Sequence, residues 1–273
     1  MDLEKKFHEL KEKNEGAHMA HVYYGDPNEE FSIKLIKTLA ENGVDIIEFG
    51  IPFSDPIADG PTFQAACERA LKNGITPAKC IQGIRKLRND GLNKPIVVTT
   101  YYNIPYVMGV ECFLNKIKLA GAQALIVPDL PIEEANSLIE QAKKFGIHVI
   151  LQVTPTTSEN RLKRIIENAS GFIYIIGVEG VTGAREKLGE STIKLVRKVK
   201  NCTDIPVVVG FGISKEEHAK RIISAGADGV AVGSAYTEIY SKNLNNPEKT
   251  LPKIAHLVKQ IKRGCLKINN FKR

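Results

Sequence analysis

The chain has 273 residues, 43% of them apolar and 25% charged, with a formal net charge of +7. That length suits two small domains or one α/β barrel of about 250 residues. The basic residues from Lys253 onward account for the whole positive excess, with no acid among them, so the charge reads as a solvated basic end rather than a nucleic-acid surface. No run of 18 apolar residues occurs, and the opening "MDLEKKFHELKEK" is charged and amphipathic. That argues against a signal peptide or spanning helix and predicts a cytoplasmic protein. Cys67, Cys80, Cys112, Cys202 and Cys265 are scattered without a CxxC pair, which reads as reduced thiols and no metal site.

A helix is expected over 2–13, placed to plug the bottom of whatever follows. Strands are expected at 18–23, 44–49, 95–100, 122–127, 147–151, 172–176, 205–209 and 228–232, where short β-rich apolar runs occur. Helical patterns fall between them, near 29–42, 61–72 with 77–89, 110–120, 132–145, 158–168, 190–200, 214–225 and 246–263. Eight alternations predict a parallel sheet closed into a (β/α)8 TIM barrel. An open doubly wound sheet has the same local pattern, so topology rests on the count of eight. One domain is expected: an N-terminal helix over 1–14, the barrel over 15–263 and a basic tail over 264–273. Glycines in "ENGVDIIE", "LAGAQALIV", "KFGIHVI" and "SAGADGVAVG" end helices and lead into strands, marking the bottom of the barrel. Chemistry belongs to the opposite, βα face.

In "VDIIEF", period-2 alternation puts Val44, Ile46 and Glu48 on one face and Asp45, Ile47 and Phe49 on the other. Glu48 thus shares a face with barrel-interior residues at the C-terminal end of its strand. A desolvated carboxyl there can both accept and donate a proton. The alternative is a buried glutamate paired with a basic partner, but no interior strand position offers a Lys or Arg. The following "FGIPFSDPIADGPT" is stiffened by Pro52, Pro56 and Pro61 and can bring Asp59 back over the same pocket. Asp55, in an "SDP" turn, reads equally as a turn cap.

Glycine marks three further βα loops: "GVEGVTGAREKLGE" after strand 6, "GFGIS" after strand 7 and "GSAY" after strand 8. Backbone N–H groups at the last two, with Ser234 placed to cap a short helix, suit a phosphate dianion without any lysine. Tight turns are the plainer reading of each loop alone; their pairing at adjacent strand tops favours phosphate.

Together, "EFGIPFSDPIADGPT", "VGFGIS", "GVTGAR", "YGDP" and "VPDLP" resemble the motifs of the tryptophan synthase alpha chain family, in order and spacing, over about residues 10–260. The resemblance implies a TIM barrel that cleaves indole-3-glycerol phosphate to indole and glyceraldehyde 3-phosphate. It implies no cofactor in this chain, and a β subunit carrying pyridoxal phosphate as partner in an α2β2 heterotetramer. Motif by motif, Glu48 and Asp59 resemble the catalytic carboxylates. Gly183, Gly212, Gly233 and Ser234 resemble the phosphate ligands. Thr182 takes the position that meets the aspartate on loop closure, and Tyr101, Tyr174 and Phe211 line the indole pocket. Asp55, Pro56, Asn103 and Pro131 fall where the β subunit docks. A phosphate-binding barrel acting on another phosphosugar or a prenyl glyceryl phosphate is the alternative.

The pocket departs from the family's pattern at His21, where an aromatic ring is expected, and at Thr99, Gln152, Gly177 and Glu179. Either these polar groups face the indole site and make it unusually polar, or they pair with one another, for instance His21 with Glu179.

Overall fold

The computed structural model describes residues 2–177, 190–210 and 212–267. Its strands are β1 (Ala17–Tyr23), β2 (Ile46–Gly50), β3 (Ile96–Thr99), β4 (Ala124–Ile126), β5 (His148–Val153), β6 (Ile173–Ile176), β7 (Val207–Gly210) and β8 (Gly229–Val232). They pair in chain order, and β8 returns to pair in parallel with β1. That last pairing excludes the open sheet and makes the fold a closed TIM barrel. The helices among the described residues are α1 (Leu3–Glu12), α2 (Glu29–Glu41), α3 (Pro61–Lys72), α4 (Pro77–Asn89), α5 (Asn103–Met108) and α6 (Val110–Ala120). They continue with α7 (Asn136–Lys144), α8 (Glu159–Asn168), α9 (Glu190–Lys200), α10 (Glu216–Ser224), α11 (Ser234–Ser241) and α12 (Leu251–Gly264).

Two differences from the sequence reading have local causes. The helix expected from residue 132 begins at Asn136, because Glu134 and Ala135 donate to the carbonyls three residues back, a tighter turn that buries Ile132. Helix α5, which contains Pro105, lies in a segment to which the sequence pattern assigns no helix. Proline is tolerated there because it lies within the first turn, where an N–H has no intrahelical partner anyway.

Alternation along each strand separates two layers. Ile47 and Phe49 of β2 face the helices within the larger apolar cluster. Ile46 faces inward with Met19, Val97, Ala124, Ile150, Phe172 and Val208. Leu3, Phe7 and Leu10 of α1 close this inner cluster, with the Phe7 and Phe172 rings 5.8 Å apart. The interior is therefore solid and apolar at its N-terminal end. Only toward the C-terminal strand ends does it turn polar.

Two buried polar groups brace the elements that frame that end. Asp26, just beyond β1 and fully buried, accepts from Arg69 Nε and Nη2 at 2.7 and 2.8 Å and from Tyr240 Oη at 2.6 Å. It thereby ties the β1 loop to α3 and α11. On the outer side of β1, His18 is fully buried, with Nε2 2.8 Å from Tyr236 Oη of α11. Burial, with the nearby Lys262 charge, lowers its pKa from 6.5 to about 3.

Arg69→Met removes the cation and leaves Asp26 in place. Loss of one partner of a buried ion pair costs about 3–5 kcal/mol, so the urea midpoint should fall clearly; an unchanged midpoint would show that Tyr240 alone satisfies Asp26. For His18, the unfolded chain takes up a proton below about pH 6.5, whereas the native state resists until about pH 3. Its contribution is therefore complete above pH 6.5 and is lost progressively as pH falls between those values. In His18→Phe the pH slope of the unfolding free energy should be shallower in that window by about one proton. An identical slope would mean that His18 titrates normally.

Candidate active site

Glu48 sits at the polar end of the barrel and is 2% exposed. Parallel register places it beside His21 of β1 and Val97 of β3, and sets Thr99 opposite Gly50. Thr99 Oγ1 donates to Glu48 Oε1 at 2.8 Å. His21 Nδ1 lies 3.3 Å from the same oxygen, and Tyr174 Oη of β6 is 3.5 Å from Oε2. Two of the polar departures thus converge on the carboxylate. Among the described residues, the other ring nitrogen of His21, Nε2, is buried without a hydrogen-bond partner. Glu179, the partner considered for His21, lies outside the described residues. Gln152 is half-buried on β5, in register with Tyr174.

Asp59 is half-buried in the loop between β2 and α3. Its Oδ2 accepts from Tyr23 Oη and from Tyr101 Oη, both at 2.6 Å. The Ala58 amide donates to Tyr101 Oη at 3.1 Å, which seats the loop on that phenol. Desolvation, aided by the neighbouring carboxylates, pushes the Tyr23, Tyr101 and Tyr174 phenols well above their ordinary pKa. All three stay protonated and act as donors. Among the described residues, Glu48 and Asp59 are held by hydroxyls and an imidazole, with no Lys or Arg ion pair on either.

Across the pocket mouth lie the glycine loops. Gly212 has φ +72°, a left-handed conformation that glycine adopts without strain. His218 Nδ1 lies 3.1 Å from its carbonyl oxygen and 3.4 Å from Ser214 N, closing the turn. Gly233 is needed for space: a Cβ there would meet the Phe63 ring at 2.4 Å and His21 Cβ at 2.9 Å. Ser234 is the first residue of α11 and does not cap it: the N-cap is Gly233, with no side-chain cap, and the Tyr236 and Thr237 amides donate to the Gly233 carbonyl. Phe211, Thr182 and Gly183 lie outside the described residues.

Sequence reasoning missed Tyr23, because an alternating strand does not reveal which tyrosine reaches a loop carboxylate. It also missed Phe63, packed 4.6 Å from the His21 ring and 5.4 Å from Tyr23, and His218. Asp55 is exposed and accepts from its neighbour Ser54 Oγ at 2.6 Å. Asn103 and Pro131 are exposed and Pro56 half-exposed. They share the βα face with three exposed apolar side chains that the sequence did not single out: Ile57, Tyr106 and Val107. Asp129 accepts from the Tyr102 amide at 2.9 Å, tying the loops after β3 and β4 together. Among the described residues, no group of three or more His, Cys, Asp or Glu could hold a metal ion, and no helix is long and apolar enough to cross a membrane.

A family model described as "Tryptophan synthase alpha chain" matches residues 7–265. The Methanocaldococcus jannaschii tryptophan synthase alpha chain is 50% identical over 245 residues, covering 90% of this chain and 86% of that one. Its Methanosarcina mazei counterpart is 44% identical over 267 residues, covering 98% and 95%. Among solved structures, an alpha chain from Legionella pneumophila superposes with a TM-score of 0.89 at 28% identity, over 99% of this chain and 100% of that one. Mycobacterium tuberculosis tryptophan synthase superposes with a TM-score of 0.87 at 32% identity, over 97% and 98%.

Proposed function

The chain belongs to the tryptophan synthase alpha chain family, a carbon–carbon lyase that cleaves indole-3-glycerol phosphate, and on that premise we propose that Glu48 and Asp59 carry the reaction. The observation behind this reading is a pair of carboxylates at one barrel mouth that, among the described residues, meet hydroxyl donors and an imidazole and no Lys or Arg ion pair. A structural carboxylate in such a place would be expected to carry a cation, as Asp26 does.

The retro-aldol chemistry asks for these groups. Indole leaves only after C3 is protonated, and a proton must also come off the side-chain hydroxyl. One carboxyl can supply the first and accept the second, which suits Glu48. Positive charge then develops at the indole nitrogen, and a fixed anion stabilises it. Asp59 suits that role, because Tyr23 and Tyr101 both bind Oδ2 and leave Oδ1 for the ring N–H. Tyr101, Tyr174 and Phe211 wall the indole pocket. The amides around Gly212, Gly233 and Ser234 receive the phosphate with Gly183, aided by the helix N-terminus, while Thr182 closes over Asp59. A barrel acting on another phosphosugar or a prenyl glyceryl phosphate would share the anion site but leave the two carboxylates without a task.

Asp55, Pro56, Asn103 and Pro131, with exposed Ile57, Tyr106 and Val107, form the surface that receives the β subunit. Apolar side chains exposed together beside a site mouth fit an interface better than bulk solvent. The assembly is α2β2 and cytoplasmic, and the pyridoxal phosphate belongs to the β subunit.

Indole release from indole-3-glycerol phosphate tests the reading directly. The chain alone should cleave slowly and a β subunit should accelerate it. Glu48→Gln should lower turnover by about 10²–10⁴-fold, the range for a lost general acid–base, and Asp59→Asn should be comparably damaging. Near-parental turnover in Glu48→Gln would remove Glu48 from the mechanism.

A further inference from the structure

The two oxygens of Glu48 are not equivalent. Oε1 accepts from Thr99 Oγ1 at 2.8 Å and lies 3.3 Å from His21 Nδ1. Among the described residues, Oε2 has one long hydrogen bond, from Tyr174 Oη at 3.5 Å. We propose that His21 and Thr99 are positioning residues that pin Oε1 to the barrel wall and leave Oε2 as the oxygen that carries the proton. The proposal rests on the reading of Glu48 as the acid–base group.

A carboxylate oxygen has two lone pairs. On Oε1 one is taken by the threonine hydroxyl, and the imidazole Nδ1 stands 3.3 Å from the same oxygen. A proton arriving at the carboxyl therefore goes to Oε2. Nδ1 is the ring nitrogen that faces Glu48. Among the described residues Nε2 is buried without a partner, and the ring packs 4.9 Å from Tyr23 and 4.6 Å from Phe63, so Nδ1 is the nitrogen placed to meet the carboxylate.

Two glycines make room for that ring. A Cβ at Gly50 would lie 2.8 Å from His21 Nε2, and one at Gly233 would lie 2.9 Å from His21 Cβ. A histidine seated so closely has little freedom to leave the carboxylate. In cleavage, the Oε2 proton passes to indole C3. Oε2 then takes the hydroxyl proton as the carbon–carbon bond breaks. Its electron pair returns to the indole ring, and the hydroxyl carbon becomes the aldehyde. Both transfers use one oxygen in one orientation, so the carboxyl need not rotate between them.

The test is steady-state cleavage by the full-length chain and its variants. Parental activity and its loss in Glu48→Gln establish the site independently of this proposal. Within that frame, His21→Phe keeps an aromatic ring in the slot and removes the donor, and Thr99→Val removes the hydroxyl at constant shape. Each should lower kcat, by up to about 100-fold as for a misplaced reacting group, while KM stays within about threefold. His21→Asn, whose side-chain amide can donate from near the Nδ1 position, should recover most of the lost kcat. Parental kcat in both His21→Phe and Thr99→Val, with Glu48→Gln inactive, would overturn the proposal. So would a His21→Asn enzyme as slow as His21→Phe, or a rise in KM at unchanged kcat.

Discussion

Keeping a carboxylate inside a protein without a cation is the constraint on which the rest of this structure turns. Removing a charge from water costs several kcal/mol even after relaxation, and a neighbouring Lys or Arg would offset that at the expense of holding the group ionised. Glu48 is held instead by a hydroxyl and an imidazole, and Asp59 by two phenols. Hydroxyl donors satisfy a carboxylate without the fixed charge that a Lys or Arg would bring. The contrast with Asp26 is instructive. It is equally buried, clamped by Arg69, and it serves architecture.

Holding those donors in place needs a rigid frame, and the barrel supplies it in layers. Below the site the interior is filled by Met19, Ile46, Val97, Ile150 and Phe172, with α1 as the plug. Side chains that point inward one layer higher along the same strands are the polar ones: His21, Glu48, Thr99 and Tyr174. Helices α3 and α11, which carry Phe63 and Ser234, are drawn to the β1 loop by Asp26. Helix α11 is also braced from behind by His18 through Tyr236. The carboxylate pocket and the proposed phosphate site thus share their supports.

Much of this was legible in the chain. Period-2 alternation placed Glu48 indoors, eight repeats implied closure, and the glycines after strands 7 and 8 marked an open mouth. What stayed hidden depends on register and on pairs distant in sequence. No local pattern says that His21 lies beside Glu48 across β1 and β2 or that Thr99 turns to the same oxygen, so their polarity read as a feature of the pocket. It is a feature of the carboxylate. Tyr23 reaches Asp59 across 36 positions and Tyr240 reaches Asp26 across 214; such contacts exist only once the strands have closed. Helix α5 is only six residues long, too short for a helical period to show, and the exposure of Ile57 in its loop and of Tyr106 and Val107 on that helix carries no sequence signature.

The central claim is that one mouth holds the indole between two carboxylates and the phosphate at the opening of α11. A crystal structure of this chain with indole propanol phosphate, a non-cleavable substrate look-alike, measures that most directly. The account expects the ring nitrogen within hydrogen-bond distance of Asp59 Oδ1, Glu48 Oε2 rather than Oε1 facing the analogue, and the phosphate on the backbone amides near Gly212, Gly233 and Ser234. An analogue seated with its ring away from Asp59, or with Glu48 turned so that Oε1 faces it, would contradict the account.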